Sequence, residues 1–315
     1  MTVYYDRKAS PALQAALAPG GVAHDLVRRH VRDRRTDLHL RGYPHTREKR
    51  ATLYCGLTAA LHLNERGGQF WLDASPTWRA YGGDLPWKQR LSPTDLADCW
   101  PLVDAYLDRV VPAIVATKWF GKEGQVQNAV TRLRAEHMTV FDREAVPGFS
   151  NTRERQSIME EEADGVRARL GAVDEPWWLV PRLGNECDAV ALDLAGRMLC
   201  VEVKPANATH GIAWAPLQAA YYAQLFRRWT AADPNHAKTL ESFIDQRAAI
   251  GLLPEGRRDV PSPLAIVPVV VIGMGPVSNE ALRRCKVVRD RLIDGGAERE
   301  IPVWRLTDTG LVEIF

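Results

Sequence analysis

The chain has 315 residues, 46% of them hydrophobic and 25% charged, with a formal net charge of +2. No stretch approaches the roughly 20 apolar residues of a membrane-spanning helix, and the start lacks the apolar core of a signal peptide. The five cysteines are scattered and no Cys-x-x-Cys pair occurs, so neither a disulfide framework nor a zinc ribbon is indicated. We expect a cytoplasmic protein with no membrane partner.

The first part of the chain, residues 1–141, is expected to form an α+β region. Residues 1–50 look mostly helical and basic. Apolar runs at 52–63 and 69–72 flank a polar, glycine-bearing stretch, which predicts a strand hairpin. Ser92 followed by proline predicts the start of a helix.

Basic residues are concentrated between residues 28 and 50, where nine Lys or Arg stand against three acids. Such a segment can contact the phosphates of a nucleic acid, and a solvated helix face and loop is the alternative. We expect residues 1–141 to bind nucleic acid or a protein partner. The residues proposed to contact nucleic acid are Arg28, Arg29, Arg32, Arg34 and Arg35.

A linker is predicted at residues 142–151, which contain Pro147 and Gly148. The domain that follows, residues 152–315, alternates helical and apolar patterns, which indicates an α/β fold. A run rich in Val and Ile at 264–274 predicts a fully buried central strand. The other elements expected before that strand are a helix at 153–170, a strand near 177–180, a strand hairpin and a helix that begins near Pro216.

The most informative stretch lies within this expected hairpin. Asp188 lies in one apolar run, and Glu202 and Lys204 lie in a second, with a glycine-bearing turn between them. Charged groups inside buried strands carry a large desolvation cost and are rarely kept there without a partner or a metal. The stretch therefore predicts a functional site.

The register of the hairpin decides whether these charges meet. Because side chains alternate faces along a strand, Asp188 must oppose an even-numbered residue. A three-residue turn at 195–197 sets Asp188 opposite Lys204, and sliding the pairing by two residues sets it opposite Glu202. In either register two carboxylates and one ammonium gather within roughly 5–8 Å.

Two carboxylates at such a spacing repel each other unless a cation lies between them. Oxygen ligands suit a hard divalent ion such as Mg²⁺ or Mn²⁺, which can hold a phosphate and lower the pKa of a bound water. Lys204 can stabilise negative charge on that phosphate. The chemistry indicated is hydrolysis of a phosphodiester.

The aspartate followed by a Glu-x-Lys triplet resembles the PD-(D/E)xK nuclease superfamily, with Asp188, Glu202 and Lys204 at its motif positions. Gln218 and Tyr222 match the Gln-x-x-x-Tyr element of RecB-like members, on the helix that follows the motif strand. The resemblance covers residues from about 151 to 230.

The resemblance implies a restriction-endonuclease-like α-β-β-β-α-β core in the C-terminal half. It implies Mg²⁺ or Mn²⁺ as cofactor, bound by Asp188, Glu202 and a further acid at Glu154, in the helix upstream of the motif. It also implies an active centre completed by Lys204, Gln218 and Tyr222. Cys187 stands where the proline of the family motif would precede the aspartate.

Plainer explanations exist for several of these residues. Glu202 and Lys204 could be an exposed pair on an edge strand, and Tyr222 could be half-buried with its hydroxyl outward. Glu154 could be a first-turn acid that answers the helix dipole. Three acids of the same helix compete for its role: Glu160, Glu161 and Glu162.

The function favoured by the motif and the resemblance is a metal-dependent nuclease acting on DNA, such as an endonuclease of a bacterial restriction or antiviral defence system. The alternative is a nucleic-acid-binding or assembly protein whose nuclease-like domain has lost catalysis. The expected partner is nucleic acid, with a protein partner or a second copy of the chain left open.

Overall fold

A computed structural model describes residues 3–43, 46–117, 123–133, 138–171, 175–253 and 260–315. Helices and strands are mixed along the chain, which confirms the α/β class. None of the described helices is both long enough and apolar enough to cross a membrane. In chain order the helices are α1 (Pro11–Leu17), α2 (His24–Arg32), α3 (Pro76–Arg79), α4 (Pro93–Val115), α5 (Glu123–Thr131), α6 (Thr152–Leu170), α7 (Thr209–Ala232), α8 (His236–Ala249) and α9 (Asn279–Asp294).

The strands form three sheets, with the orders β1-β7, β2-β3-β4-β5 and β12-β11-β10-β9-β8-β6. The largest sheet is mixed, since β9, β10 and β11 run parallel while its other neighbours are antiparallel. The strands are β1 (Val3–Tyr4), β2 (Thr36–Tyr43), β3 (Glu48–Cys55), β4 (Thr58–Arg66), β5 (Gln69–Asp73), β6 (Met138–Ala145), β7 (Gly148–Phe149), β8 (Cys187–Asp193), β9 (Met198–Lys204), β10 (Ile266–Ile272), β11 (Val303–Thr307) and β12 (Gly310–Glu313).

The chain folds into two compact units, and neither is one continuous stretch. The first unit comprises Met1–Tyr5, Leu133–Lys238 and Asp259–Phe315. The second unit comprises Asp6–Arg132 and Thr239–Arg258. The division expected from the sequence, residues 1–141 and 152–315, differs because the second unit also takes a segment from late in the chain.

The linker predicted at residues 142–151 is wrong. Residues 142–145 continue β6, which pairs with β8, so this stretch belongs to the first unit. The linker was predicted from Pro147 and Gly148, yet Asp142 and Arg143 at its start are fully buried. The hydroxyl of Tyr5 donates to the Asp142 carboxylate at 2.5 Å, a partner far away in the sequence.

The apolar run at 264–274 contains β10, which confirms the predicted central strand. Every residue of β10 is buried, and the strand lies between β9 and β11 with parallel pairing on both sides. The connection from β9 to β10 contains α7 and α8, and α7 packs on both strands, as expected for a crossover between parallel strands.

The strand predicted near residues 177–180 is wrong, because the described residues between α6 and β8 contain no strand. The apolar run there reflects aromatic packing instead. The rings of Trp177 and Trp178 lie 5.9 and 5.1 Å from that of Trp214 in α7. The third strand beside the β8–β9 hairpin is β6, which precedes α6, so the order along the chain is β6-β7-α6-β8-β9-α7-α8-β10.

The sheet of the second unit has one apolar face and one polar face. In β2, Leu38 and Leu40 join the hydrophobic core that includes Leu107 of α4, while Asp37 and His39 point to the other side. This alternation explains why the helical expectation for residues 1–50 fails from β2 onward. The hairpin predicted around residues 64–68 is confirmed as the β4–β5 pair.

A row of polar side chains crosses the polar face of this sheet. The pairing sets His39 opposite Thr52, Thr52 opposite His62, and His62 opposite Asp73. The Thr52 hydroxyl lies 2.9 Å from Nδ1 of His62. Burial lowers the pKa of His62 to about 4, and the charge of Arg50 acts in the same direction.

We expect stability to fall between pH 6.5 and about 4 because of this histidine. The pKa of folded His62 lies below its ordinary value of 6.5, so in this window the unfolded chain binds more protons than the folded one. His62→Gln removes the titrating group. As the pH falls through the window, the wild type should therefore lose up to about 3 kcal/mol of unfolding free energy relative to the variant. Urea unfolding at several pH values measures it. The control is His210→Gln, which alters an exposed histidine. A difference in unfolding free energy between wild type and His62→Gln that does not change with pH would contradict the lowered pKa of His62.

Candidate functional site

The register of the β8–β9 hairpin brings the motif carboxylates to the same level of the sheet. Ala189 pairs with Val201, and continuing that register by one residue sets Asp188 opposite Glu202. Of the two registers considered from the sequence, the pairing of Asp188 with Glu202 is confirmed and the pairing with Lys204 is wrong. Directly opposed residues lie on the same side of a sheet.

Asp193 explains this register, because its side chain holds the three-residue turn one position earlier than expected, at residues 194–196. The backbone N–H of Asp193 donates to the carbonyl of Arg197 at 3.1 Å across this turn. The carboxylate of Asp193 accepts hydrogen bonds from the backbone N–H groups of Ala195 at 2.9 Å and Arg197 at 2.8 Å. Gly196 has a φ of 77°, in the left-handed region that glycine favours. The turn therefore closes at Asp193, and the ladder begins with Leu192 opposite Met198.

The three motif side chains make close polar contacts at this end of the hairpin. The ammonium of Lys204 lies 2.5 Å from Oε1 of Glu202, with side-chain exposures of 13% and 3%. The carboxylate of Asp188 accepts a hydrogen bond of 2.7 Å from the backbone N–H of Val203. Glu202 and Lys204 are therefore a buried ion pair in an internal strand, and the exposed edge pair considered above is wrong.

The helix α7 brings Tyr222 within electrostatic range of these carboxylates. Tyr222 is 2% exposed, and burial raises its pKa, with the charges of Glu202 and Asp188 raising it further. The phenol therefore stays protonated at neutral pH and can donate a hydrogen bond. The half-buried, outward-facing tyrosine considered from the sequence is wrong.

Gly184 provides the space that the Tyr222 hydroxyl occupies. A Cβ atom at Gly184 would collide with Oη of Tyr222 and would lie 3.6 Å from Nε2 of Gln218. Gln218 and Tyr222 thus approach the same point, as their spacing of four residues on one helix predicted. The sequence signal for Gly184 was only its position just before the motif strand.

Glu154 caps its own helix. It lies in the first turn of α6, where its N–H donates to the side chain of Asn151 at 2.9 Å, and its carboxylate accepts from the N–H of Ser150 at 3.1 Å. This is the role in the first helical turn that was considered as the alternative. Among the competing acids, Glu161 and Glu162 form ion pairs with Arg228.

A third metal ligand is not assembled in the part of the chain that the structure describes. Within those residues no group of three or more His, Cys, Asp or Glu side chains is arranged to hold a metal ion. The structure therefore does not join Glu154 to Asp188 and Glu202 as the resemblance implied.

Glu144 is a neighbour of the motif that the sequence did not reveal. In the β6–β8 pair, Arg143 opposes Ala189 and Ala145 opposes Cys187, which sets Glu144 level with Asp188. The φ of Glu144 is 46°, and its carboxylate lies 3.3 Å from the Arg143 guanidinium. Because this residue fell in the predicted linker, no strand pattern pointed to it.

The arginines proposed to contact nucleic acid are largely neutralised within the second unit. Arg28 pairs with Asp25, and Arg35 pairs with Asp33 at 2.8 Å. The five span the last turns of α2, which ends at Arg32, and the connection to β2, which begins four residues later. Arg29 pairs with two carboxylates of α4, Asp104 and Asp108; Arg32 and Arg34 are exposed.

Comparison with known proteins identifies no relative of this chain. No protein-family model, no curated protein and no solved structure matches the chain. The resemblance to PD-(D/E)xK nucleases is therefore carried by the motif residues alone, and it contributes to the function only as a proposal.

We expect Gly184→Ala to destabilise the first unit, because the new methyl group must displace the Tyr222 hydroxyl. Overpacking of this kind costs about 1–3 kcal/mol. Removing the hydroxyl as well, in Gly184→Ala/Tyr222→Phe, should recover part of the loss. Thermal unfolding measures both.

The matched control is Gly165→Ala in α6, where an added Cβ meets nothing within 4 Å. That variant should be as stable as the wild type or slightly more stable, since alanine is the better helix former. Equal stability of Gly184→Ala and Gly165→Ala would contradict the close contact with Tyr222.

Proposed function

We propose that the protein is a metal-dependent nuclease that hydrolyses phosphodiester bonds, with DNA as its substrate. The single observation that carries the proposal is the register that sets Asp188 opposite Glu202. The ammonium of Lys204, whose side chain is 13% exposed, lies against the buried Glu202, and a protonated tyrosine lies within electrostatic range of both carboxylates. A core built only for stability has little use for this group of charges.

The donor set of Asp188 and Glu202 fits a hard divalent cation such as Mg²⁺ or Mn²⁺, because both residues offer carboxylate oxygens. Mg²⁺ usually keeps several waters and is held by one or two carboxylates together with substrate phosphates. Two carboxylates on neighbouring strands therefore suffice without Glu154. When bound, such an ion supplies a more acidic water and offsets negative charge on the phosphate.

The side chains of the chain itself divide the remaining tasks. Lys204 neutralises Glu202 in the structure, and its charge can stabilise a phosphate placed beside the pair. Tyr222 can donate its phenolic proton in a hydrogen bond to a phosphate oxygen or to the attacking water, and the amide of Gln218 points to the same place. Burial of Glu202 and Tyr222 excludes bulk water and strengthens these interactions.

A nucleic-acid-binding or assembly protein without catalysis is the second candidate, and a specific observation favours it. Glu154 serves as a helix cap, and Glu202 is already neutralised by Lys204. A domain that had lost its metal would keep its charges paired in this way. The two candidates differ in whether cleavage and metal binding occur.

We expect Mg²⁺-dependent cleavage of DNA that is lost in Glu202→Gln, Asp188→Asn and Lys204→Met. Each change removes a ligand charge or the ammonium that stabilises the phosphate, so the rate should fall at least about 100-fold. Cleavage assays on linear and circular DNA and RNA, with Mg²⁺ or EDTA, measure the rate. Asp308→Asn alters an exposed acid of the same unit and should cleave at the wild-type rate.

Stability must be followed in these variants because the Glu202–Lys204 pair is buried. Removing one partner of such a pair costs about 3–5 kcal/mol, since the other charge stays buried. The double variant Glu202→Gln/Lys204→Met removes both charges and should recover most of that stability while remaining inactive. Wild-type cleavage by the folded double variant contradicts the proposal.

We expect titration calorimetry with Mn²⁺ to show binding that depends on Asp188 and Glu202 but not on Glu154. Asp188→Asn should weaken the affinity at least about 10-fold, as does the loss of interactions that support a metal. Glu154→Gln keeps an oxygen for the N–H of Ser150 and should bind like the wild type. Equal weakening in Glu154→Gln would restore that residue to the ligand set.

A further inference from the structure

A cleft of about 420 Å³ lies beside the candidate site, within the first unit. It is bounded by α6 on one side and by residues 182–185 on the other, with Tyr221 of α7 between them. We call it the strand cleft. Its charged lining residues are Arg155, Arg167, Arg182, Glu160 and Asp164.

Among the described residues, no carboxylate forms an ion pair with two of the cleft's three guanidinium groups, those of Arg155 and Arg182. Arg167 pairs with Asp164 at 3.3 Å. The Arg155 guanidinium donates to the sulfur of Met159 at 3.4 Å. With Arg167 satisfied, these two cations outnumber the remaining acid of the cleft, Glu160.

Two of these guanidinium groups act on the pKa of Tyr221, which lines the cleft. Burial raises the pKa of Tyr221 to about 12, although the charges of Arg155 and Arg167 act to lower it. The tyrosine ring therefore lies within electrostatic reach of both guanidinium groups. Tyr221 is 2% exposed, so its ring closes the base of the cleft and offers no face for a base to stack on. The polar lining consists of guanidinium groups and side-chain amides together with two acids, and guanidinium and amide groups are donors that contact a phosphate backbone.

Gly184 connects the cleft to the candidate site. It lines the cleft, and it also lies against the hydroxyl of Tyr222, close to Gln218. Tyr221 and Tyr222 are consecutive on α7, with ring centroids 5.3 Å apart. A ligand bound in the cleft would therefore lie beside Gly184 and Tyr221, next to Tyr222, whose hydroxyl is within electrostatic range of the motif carboxylates.

We infer that the strand cleft binds the sugar-phosphate backbone of a single nucleic-acid strand, with Arg155 and Arg182 contacting its phosphates. That the ligand is a nucleic acid rests on the proposed function. That the ligand is an anionic chain rests on the two guanidinium groups and the elongated boundary of the cleft along α6. A guanidinium matches phosphate in a two-pronged geometry. A duplex, whose major groove alone is about 12 Å wide, is too broad for a cleft of this volume.

The experiment measures binding in EDTA, so that it does not depend on cleavage. Fluorescence anisotropy with a short labelled single-stranded DNA compares wild type, Arg155→Gln/Arg182→Gln and Arg169→Gln over a range of salt. Arg169 is an exposed arginine of the same helix outside the cleft. We expect the double variant to bind at least about 10-fold more weakly at low salt, with the slope of log affinity against log salt reduced by about 1.4, since each lost contact to a single strand accounts for about 0.7. Arg169→Gln should change neither.

Several outcomes overturn the inference. The first is unchanged affinity and slope in a double variant that thermal unfolding shows to be folded. The second is tighter binding of a duplex through the same two arginines. The third is displacement of the strand by a poly-glutamate peptide at matched charge, which would assign the cleft to acidic protein segments.

Failure of the proposed function is distinguishable from failure of this inference. Strand binding that depends on Arg155 and Arg182, without cleavage in Mg²⁺, supports the cleft and refutes the nuclease. Cleavage that is insensitive to both substitutions supports the nuclease and refutes the cleft.

Discussion

The buried pair of Glu202 and Lys204 is the constraint on which the rest of the first unit depends. The two charges lie 2.5 Å apart in a strand that has neighbours on both sides. Taking two ions out of water costs several kcal/mol for each, which their attraction offsets only when geometry and further hydrogen bonds are favourable. The apolar β10 and the helix α7 seal the pair on one side, and Asp188 adds a second carboxylate rather than a second cation. Such a group adds little net stability, so chemistry explains it better than folding does.

The sequence predicted those parts of the site that depend on local periodicity. Alternation along a strand was enough to set Asp188 and Glu202 on one side of the hairpin, and a spacing of four residues was enough to set Gln218 and Tyr222 on one helix face. The exact partner of Asp188 depended on the turn. Asp193 accepts two backbone hydrogen bonds within it, which hold the three-residue turn one position earlier than expected and shift the pairing by two residues.

The remaining parts depend on partners that are distant in the sequence, and no local pattern shows them. Arg29 looked like a free cation, but its partners in α4 lie 75 and 79 residues away. Asp142 looked like part of an exposed linker, but it is buried against Tyr5 at the start of the chain. Trp177 looked like part of a strand, but it packs on an aromatic ring of α7. In each case the residue type indicated whether the side chain was polar or apolar, but it did not indicate which distant residue the side chain would contact.

The balance of charge at the motif gives a physical reason for metal dependence in the proposed nuclease. The carboxylates of Asp188 and Glu202 lie on one side of the hairpin, and carboxylates repel a phosphate. A divalent ion reverses the sign of the local charge and makes the same position attractive. The strand cleft carries its excess of cations permanently, in the guanidinium groups of Arg155 and Arg182. In the proposed nuclease, holding the backbone and admitting one phosphate to the carboxylates would be separate steps, and only the second would respond to the metal.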